Sequence, residues 1–141
     1  MLKKTLVLTA VVSTLISGVT IAQTWAQTSA RSDYRIVNVN NFVSQYKLSG
    51  LTPNQSAVKL FGYTGEEDGR KSEQVAVTYP TRDTALIMLT TEGLANDSVN
   101  SLRNRIEMRR TQNKWQVVWV GEQNKCQKGR GSQTWTAKIC S

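Results

Sequence analysis

The chain has 141 residues, a formal net charge of +8 and no histidine. The lack of histidine excludes Ser-His-Asp and Cys-His catalytic arrangements, and also zinc sites that need imidazole. Two cysteines cannot form a four-thiolate site, and phosphate-loop and dinucleotide-binding fingerprints are absent, so we expect neither a metal nor another cofactor.

The N-terminal residues have the pattern of a secretory signal peptide. Lys3 and Lys4 precede an uncharged apolar run that extends to about Ile21 and is followed by small residues. Residues 1–26 are therefore predicted to be a signal peptide that is cleaved after Ala26. The apolar run is short for a bilayer span and no second hydrophobic segment follows it, so we expect no stable membrane span. The protein is expected to be exported, to the periplasm or outside the cell.

A polar leader and a first helix are predicted next. Residues 27–35 have little apolar content and are interpreted as a flexible leader, followed by a single domain over residues 36–141. A short helix ending near Gly50 is indicated by apolar residues at helical spacing, which are Val39, Phe42, Val43 and Tyr46.

The second helix has clear signals at both ends. Thr52 can cap its start, Pro53 suits the first helical position and Gln55 completes a capping box. Gly62 can terminate it.

After the helices the apolar period changes to two. Four strands are predicted, at residues 73–79, 84–91, 103–110 and 115–120. Their connections are too short for parallel crossovers, so the strands should form an antiparallel meander. Helices followed by strands indicate an α+β fold, with one or two N-terminal helices packed on one face of a four-stranded sheet. By analogy this order is similar to the cystatin-like or nuclear-transport-factor-like arrangement, although a split barrel or a two-layer sandwich also fits.

Cys126 and Cys140 are predicted to form a disulfide. In the oxidising compartments that exported proteins reach, two cysteines usually pair. Closing this fifteen-residue stretch would stabilise the fold by about 3 kcal/mol in the chain-entropy model. A structural C-terminal disulfide loop is therefore favoured over a catalytic thiol.

Carboxylates are the remaining candidates for catalysis or calcium binding. They fall in two groups, Glu66, Glu67, Asp68 and Glu73 in one loop and Glu92 and Asp97 around another. Adjacent acids in a glycine-flanked loop usually form a solvated turn, and this stretch supplies no apolar pocket for a general acid. We therefore predict no catalytic residue and a protein that is not an enzyme.

Most of the positive charge lies in the C-terminal third. Residues 103–141 contain nine Lys and Arg against two Asp and Glu, a net charge of +7. Arg103, Arg105 and Arg109 alternate along a predicted strand, so they can project together into solvent. Such a patch could bind an anionic envelope polymer, lipid head groups or a secreted protein, while export makes a nucleic acid unlikely. The other interpretation is an ordinary soluble surface with a sheet edge guarded by cations.

Three of the four tryptophans lie in this same third. Trp115 and Trp119 are predicted to share one face of the last strand, either as core residues or as the lining of a cavity between helix and sheet. Trp135 lies between the two cysteines, where it can pack on the disulfide or on the sheet. With Arg130 and Gln133 it could instead form a recognition tip.

The C-terminal residues also carry a family resemblance. Their motif consists of Trp115, Val117, Trp119, Gly121, Gln123, Cys126, Gly129, Arg130, Gly131, Gln133, Trp135 and Cys140. This tail resembles that of small secreted proteins predicted from cyanobacterial and other bacterial genomes, for which no activity is established. The resemblance covers the C-terminal third to half of the chain. It implies bacterial export and a shared fold.

Two hypotheses for function follow from the sequence. The leading one is an exported non-enzymatic domain that binds an anionic envelope component or a partner protein through a basic sheet face and the disulfide loop. The alternative is a small-ligand carrier or enzyme that uses a cavity between helix and sheet, lined by Trp115 or Trp119.

Overall fold

The computed structural model describes residues 31–63 and 69–141. In these residues the chain forms a five-stranded antiparallel sheet with two helices packed against it, so the α+β class is confirmed. No helix within the two ranges has the length and apolarity needed to cross a membrane. The predicted signal peptide at residues 1–26 and the loop acids Glu66, Glu67 and Asp68 lie outside the described residues.

The long strands follow the helices along the chain. A 3-10 helix at Arg31–Asp33 precedes β1 (Arg35–Ile36), α1 (Val39–Tyr46) and α2 (Pro53–Leu60). The long strands are β2 (Ser72–Thr81), β3 (Thr84–Glu92), β4 (Val99–Thr111) and β5 (Lys114–Cys126). Their order in the sheet is β1-β5-β4-β3-β2, which places β4 at the centre.

Both helices begin at capping residues. The hydroxyl of Thr52 accepts a hydrogen bond from the Gln55 amide at 3.3 Å, and the Gln55 side chain accepts one from the Thr52 amide at 2.9 Å. The capping box predicted for α2 is therefore confirmed. The side chain of Asn38 caps α1 by accepting from the Asn41 amide at 3.0 Å. α1 ends before the predicted glycine, because Lys47 takes the left-handed conformation with φ of 53°.

An apolar core fills the space between the helices and the sheet. At its centre Ile87, Ile106 and Val120 come from three adjacent strands, and each has 0% of its surface exposed. Phe42 of α1 and Leu60 of α2 belong to the same cluster. Burial of an aliphatic or phenyl side chain contributes about 1.5–3 kcal/mol, so this interface is a main source of the fold's stability.

The predicted leader at residues 27–35 overlaps the described residues at 31–35, and the last two of these contact the sheet. Tyr34 is 5% exposed, and its ring packs edge-on against Trp119 with the centroids 5.8 Å apart. Arg35 forms an ion pair with Glu122, where β1 pairs with β5. The sheet has five strands where four were predicted, because a two-residue strand leaves no periodic pattern in the sequence. The cystatin-like arrangement is not matched in detail.

A β-bulge in β5 places its two tryptophans on opposite faces of the sheet. β4 advances by one residue while β5 advances by two, from Val117 to Trp119, so Val118 is an extra residue. Trp115 packs against the helix-covered core, whereas Trp119 lies on the other face with Tyr34. The prediction that the two tryptophans share a face was wrong, because one inserted residue reverses the side from which the following residues project.

Candidate functional site

The sheet face opposite the helices, termed the open face, carries alternate residues of the central strand β4. The guanidinium carbon of Arg103 lies 4.0 Å from the centroid of the Trp135 ring. That of Arg105 lies 5.7 Å from the ring centroids of both Tyr34 and Trp119. Attraction between a cation and the face of an aromatic ring restrains both guanidinium groups. These two arginines are therefore part of a packed layer on the open face.

The indole of Trp119 fills space that only a glycine leaves free. A Cβ atom on Gly121 would lie 2.2 Å from the Trp119 ring and 2.7 Å from the Cβ of Tyr34. The guanidinium carbon of Arg31 lies 5.1 Å from the Trp119 centroid. Residues that were predicted to be flexible are thus packed onto the open face.

Carboxylates neutralise part of the positive charge of the open face. Glu107 accepts a hydrogen bond from Arg31 Nε at 3.3 Å and forms an ion pair with Arg105 at 2.8 Å. Burial raises the pKa of the Glu107 carboxyl, but hydrogen bonds and charge from the two arginines outweigh burial and hold this pKa below its usual value. Lys125 pairs with Glu92 at 3.3 Å. The open face is therefore less positive than its sequence indicates.

The three predicted arginines of β4 fall into two separate places. Arg105 and Arg109 line a cleft of about 250 Å³ that also contains Glu107. Arg103 lies outside this cleft. Among residues 31–63 and 69–141, no carboxylate lies within ion-pair distance of Arg103 or Arg109.

A pocket of about 560 Å³, termed the Trp135 pocket, lies where the N-terminal 3-10 helix, the open face and the disulfide loop meet. Arg103 and Trp135, both predicted as binding residues, line it together. The residues that contribute to its wall include Asp33, Arg103, Gln123, Trp135, Thr136 and Lys138. The pocket is open to solvent, so a ligand bound there would remain partly exposed.

Gln123 supplies a buried polar group to the Trp135 pocket. The residue is 4% exposed. Its Nε2 donates a hydrogen bond to the backbone oxygen of Asp33 at 3.0 Å, which determines the orientation of the amide. Its Oε1 has no hydrogen-bond partner in the described part of the chain. This oxygen is buried beneath the surface of the pocket, so Gln123 contributes to the wall without presenting a free acceptor.

The disulfide loop is fixed to the sheet near this pocket. Asn124 of β5 and Thr136 exchange two backbone hydrogen bonds of 2.9 and 3.0 Å. The side-chain amide of Asn124 donates to the Sγ of Cys140 at 3.0 Å. The disulfide between Cys126 and Cys140 is present, which confirms the prediction. These contacts hold the residue before Thr136, which is Trp135, on the open face.

Arg130 and Gln133 do not join the Trp135 pocket. Both are exposed on the disulfide loop. The Nε2 of Gln133 donates to the backbone oxygen of Cys126 at 3.3 Å, and the backbone oxygen of Arg130 accepts from the Ser141 amide at 2.8 Å. Trp135 is turned onto the sheet instead. The structure thus separates the three residues that were considered as one recognition tip.

Trp115 lines a different cleft, on the helix-covered side. This cleft has a volume of about 280 Å³ and lies between β5 and α1, with Val43 and Leu48 in its wall. The rings of Trp115 and Tyr79 approach with centroids 6.0 Å apart. Trp119 is on the other face because of the bulge. The two tryptophans therefore do not line one cavity.

The described carboxylates outside the open face do not assemble into a site. The Glu73 side chain is 6% exposed and accepts a hydrogen bond from the Gly62 amide at 2.9 Å, next to the end of α2. Within residues 31–63 and 69–141, no three His, Cys, Asp or Glu side chains lie close enough together to hold a metal ion.

Sequence reasoning missed the contributions of Asp33, Gln123 and Lys138 to the Trp135 pocket. Gln123 lies opposite Arg103 in the pairing of β4 with β5. This register depends on the bulge and on the turn between the strands, and residue types alone do not reveal it. The sequence signal that was available is the alternation along each strand, which places Arg103 and Gln123 on the same face once the register is known.

The Trp135 pocket combines the kinds of group that bind an anionic polar ligand. Arg103 and Lys138 carry donors and positive charge, Asp33 carries acceptors, and Trp135 adds an aromatic ring. No protein-family model, curated protein or solved structure matches the chain. Function is therefore inferred from the residues that line the pocket.

Proposed function

We propose that the protein is an exported, non-enzymatic domain that binds an anionic component of the cell envelope or an acidic secreted partner. Its binding surface comprises the open face and the disulfide loop. The observation that carries the proposal is the setting of Arg103, which stacks on Trp135 and lines a pocket of about 560 Å³. Lys138 adds a second cation to that pocket.

The distribution of charge supports an anionic ligand. Residues 103–141 have a net charge of +7. The ion pairs among the described residues engage Arg105, Arg110 and Lys125 of this segment, and its remaining cations keep their charge available to a ligand. A positive field on one side of a protein raises the local concentration of anions and speeds their association.

Export is supported by independent features. Residues 1–26 have the signal-peptide pattern, and a disulfide is typical of oxidising compartments. The C-terminal tail resembles that of small secreted bacterial proteins. In the periplasm or outside the cell, acidic glycans, lipid head groups and secreted proteins are the available anionic partners, and a nucleic acid is a poor candidate.

Binding of the purified secreted protein to polygalacturonate and to phosphatidylglycerol vesicles tests the proposal, with neutral dextran as the ligand control. We expect binding to at least one anionic material, with an affinity that falls steeply between 50 and 200 mM salt, as for ligands whose counterions are released. Binding that is absent, or that does not respond to salt, contradicts the proposal.

A matched pair of variants places the binding on one side of the molecule. Lys138 is exposed beside the Trp135 pocket, and Lys59 is exposed on α2 on the helix side. Lys138→Gln and Lys59→Gln remove the same charge, so they change the net charge of the protein equally. We expect Lys138→Gln to weaken binding several-fold and Lys59→Gln to leave it unchanged. Equal weakening would show that net charge alone attracts the ligand.

The alternative function, a small-ligand carrier or enzyme, would use the space at Trp115, since the centre of the interface between helices and sheet is filled by Ile87, Ile106 and Val120. Trp115 lines a cleft of about 280 Å³ beside α1 and a second one of about 450 Å³. An apolar fluorescent probe would distinguish the two functions. The alternative would be favoured if Trp115→Ala abolished binding of the probe and Lys138→Gln left the affinity for the probe unchanged.

A further inference from the structure

We propose that β2 is a docking edge for a second copy of this chain, so that the β2 strands of two copies pair antiparallel about a two-fold axis and join two sheets into one. The proposal does not depend on the anion binding proposed above. Its basis is a sheet edge that carries no charge along residues 74–79 and lies beside exposed apolar side chains of α2.

The outer side of β2 faces no strand in the described part of the chain. β2 pairs with β3 on one side and is the last strand in the order of the sheet. In an antiparallel pair, the N–H and C=O groups of alternate residues point away from the neighbouring strand. The Arg110 amide donates to the Asp83 oxygen at 2.8 Å, which fixes this alternation along β3. Through the register of β3 with β2, the backbone groups of Glu73, Val75 and Val77 are directed to the outer side.

The usual protection of an open edge is missing along residues 74–79. Natural proteins guard such edges with charged side chains, prolines or bulges. Residues 74–79 contain no charge and no proline, and they include the β-branched Val75, Val77 and Thr78. Pro80 and the irregular pairing of β2 with β3 come after this stretch. A strand of this composition is suited to pairing with another strand.

The stretch is also complementary to itself, which favours a second copy as the occupant. If two β2 strands pair antiparallel with their Ala76 residues opposite each other, Val75 faces Val77 of the second copy and Gln74 faces Thr78. No like charges meet, and the two-fold axis makes both halves of the interface identical. Val75 and Val77 carry the outward backbone groups, so they would form the hydrogen-bonded pairs. Their side chains pack against the core and are only partly buried, so a second strand would extend their burial.

Exposed apolar side chains of α2 lie beside this edge. The Tyr79 hydroxyl donates to Asn54 Oδ1 at 3.1 Å, and the end of α2 is hydrogen-bonded to the start of β2, so α2 runs along β2. Val58 and Phe61 follow Asn54 at helical spacing on the same side of α2, and they are 77% and 51% exposed. Antiparallel pairing of two β2 strands places both copies of α2 on one face of the joined sheet, where these side chains can be covered.

The positive charge of the chain does not oppose pairing at this edge. The basic segment, residues 103–141, forms most of β4, all of β5 and the disulfide loop, and β3 separates it from β2. Repulsion between two copies is therefore smaller at the β2 edge than at the β5 side. Pairing extends the sheet in its own plane, so the Trp135 pocket of each copy stays accessible.

Sedimentation velocity of the purified secreted protein, at concentrations up to about 1 mM, tests for the dimer. Hydrogen exchange then locates the interface. We expect the amides of Val75 and Val77 to become protected as the dimer forms, whereas those of Gln74 and Ala76 bond to β3 and should be protected at every concentration. A protein that stays monomeric, or a dimer in which the amides of Val75 and Val77 exchange as fast as in the monomer, overturns the proposal.

Charged variants test the register. Ala76→Lys places like charges opposite each other on an exposed position, so the dissociation constant of the dimer should rise roughly fivefold. Gln116→Lys adds the same charge at an exposed position of β5 and should leave the constant unchanged. A mixture of Ala76→Lys with Ala76→Glu should restore the affinity, because opposite charges then meet. Equal weakening by the two lysine variants, or a mixture that binds no better than either variant alone, rejects pairing through β2.

The response to salt separates this proposal from the proposed function. The paired strands are uncharged, so the dimer should not weaken as salt is added, whereas anion binding should weaken steeply. A dimer that dissociates on addition of salt contradicts pairing through β2. A salt-resistant dimer that binds no anion would leave this proposal standing and reject the proposed function.

Discussion

The guanidinium carbon of Arg103 lies 4.0 Å from the centroid of the Trp135 ring, and the ammonium nitrogen of Lys125 lies 4.6 Å from the same centroid. Arg103 belongs to the central strand and Trp135 to the disulfide loop, so this contact joins two segments that the backbone does not connect directly. The loop is thereby packed against the sheet. A loop held in this way can present a binding surface with little loss of conformational entropy.

Removing the cation of Arg103 should loosen this contact. Arg103→Met keeps an apolar stem over the ring but loses the cation–π attraction, which is worth about 0.5–1 kcal/mol at a partly exposed site. We expect the free energy of unfolding, measured by urea denaturation, to fall by that amount. Arg109→Met is the matched control, since Arg109 is exposed and none of the described cation–π contacts involves it. An equal loss in both variants would rule out a specific role for the stacked pair.

Reduction of the Cys126–Cys140 disulfide should destabilise the protein by about 3 kcal/mol if the loss of loop-closure entropy in the unfolded state dominates. The measurement is urea denaturation of the oxidised protein and of a Cys126→Ala/Cys140→Ala variant. Hydrogen exchange gives the local counterpart, because the amides of Asn124 and Thr136 should lose protection first. Unchanged protection of these two amides would show that the loop is held without the covalent bond.

The elements that could be predicted from the sequence are those specified by local chemistry. The capping box of Thr52 and Gln55 needs only residues within one helical turn, and the period-two pattern of the long strands reports which faces are apolar. The disulfide followed from the presence of two cysteines in a chain with a signal-peptide pattern. In each case the interacting groups are close in sequence or are the only ones of their type.

The features that could not be predicted depend on contacts between distant parts of the chain. β1 has two residues and is defined by its pairing with β5, far along the sequence. The bulge at Val118 follows from how β4 and β5 fit together, and it alone decides that Trp119 faces away from the helices. The Trp135 pocket also depends on distant contacts. Asp33 and Gln123 are far apart in the sequence, and they meet where β1 pairs with β5.

Adding a methyl group at Gly121 should displace the Trp119 ring. The new Cβ would lie 2.2 Å from that ring, and overpacking of this kind costs about 1–3 kcal/mol. Gly121→Ala should therefore lower the free energy of unfolding by that amount, measured by denaturation followed by circular dichroism. In a Trp119→Leu background the clash with the ring is removed and only the 2.7 Å approach to the Cβ of Tyr34 remains, so the same substitution should cost less. Equal costs in the two backgrounds would mean that the glycine is needed for another reason.

Glu107 should make stability depend on pH in acid. The hydrogen bonds and charges of Arg31 and Arg105 outweigh the effect of burial and lower the pKa of its carboxyl in the folded protein. A carboxyl with a lower pKa in the folded than in the unfolded state stabilises the protein above the unfolded-state pKa. That contribution is lost as the pH falls from the usual glutamate pKa through the lowered value. Above this window the contribution is complete and constant.

The variant Glu107→Gln lacks this titrating group. At neutral pH its free energy of unfolding should be about 1 kcal/mol lower, because the partly exposed ion pairs are lost. As the pH decreases through the acid window, its free energy of unfolding should fall less steeply than that of the unmodified protein. Arg31→Met should give an intermediate slope, because Arg105 still pairs with the carboxylate at 2.8 Å. The measurement is the free energy of unfolding in urea at a series of pH values. If the plots of unfolding free energy against pH stay parallel for Glu107→Gln and the unmodified protein, the arginines do not lower the pKa of Glu107. The packing of Tyr34 on Trp119 would then be the main contact that holds the N-terminal segment to the open face.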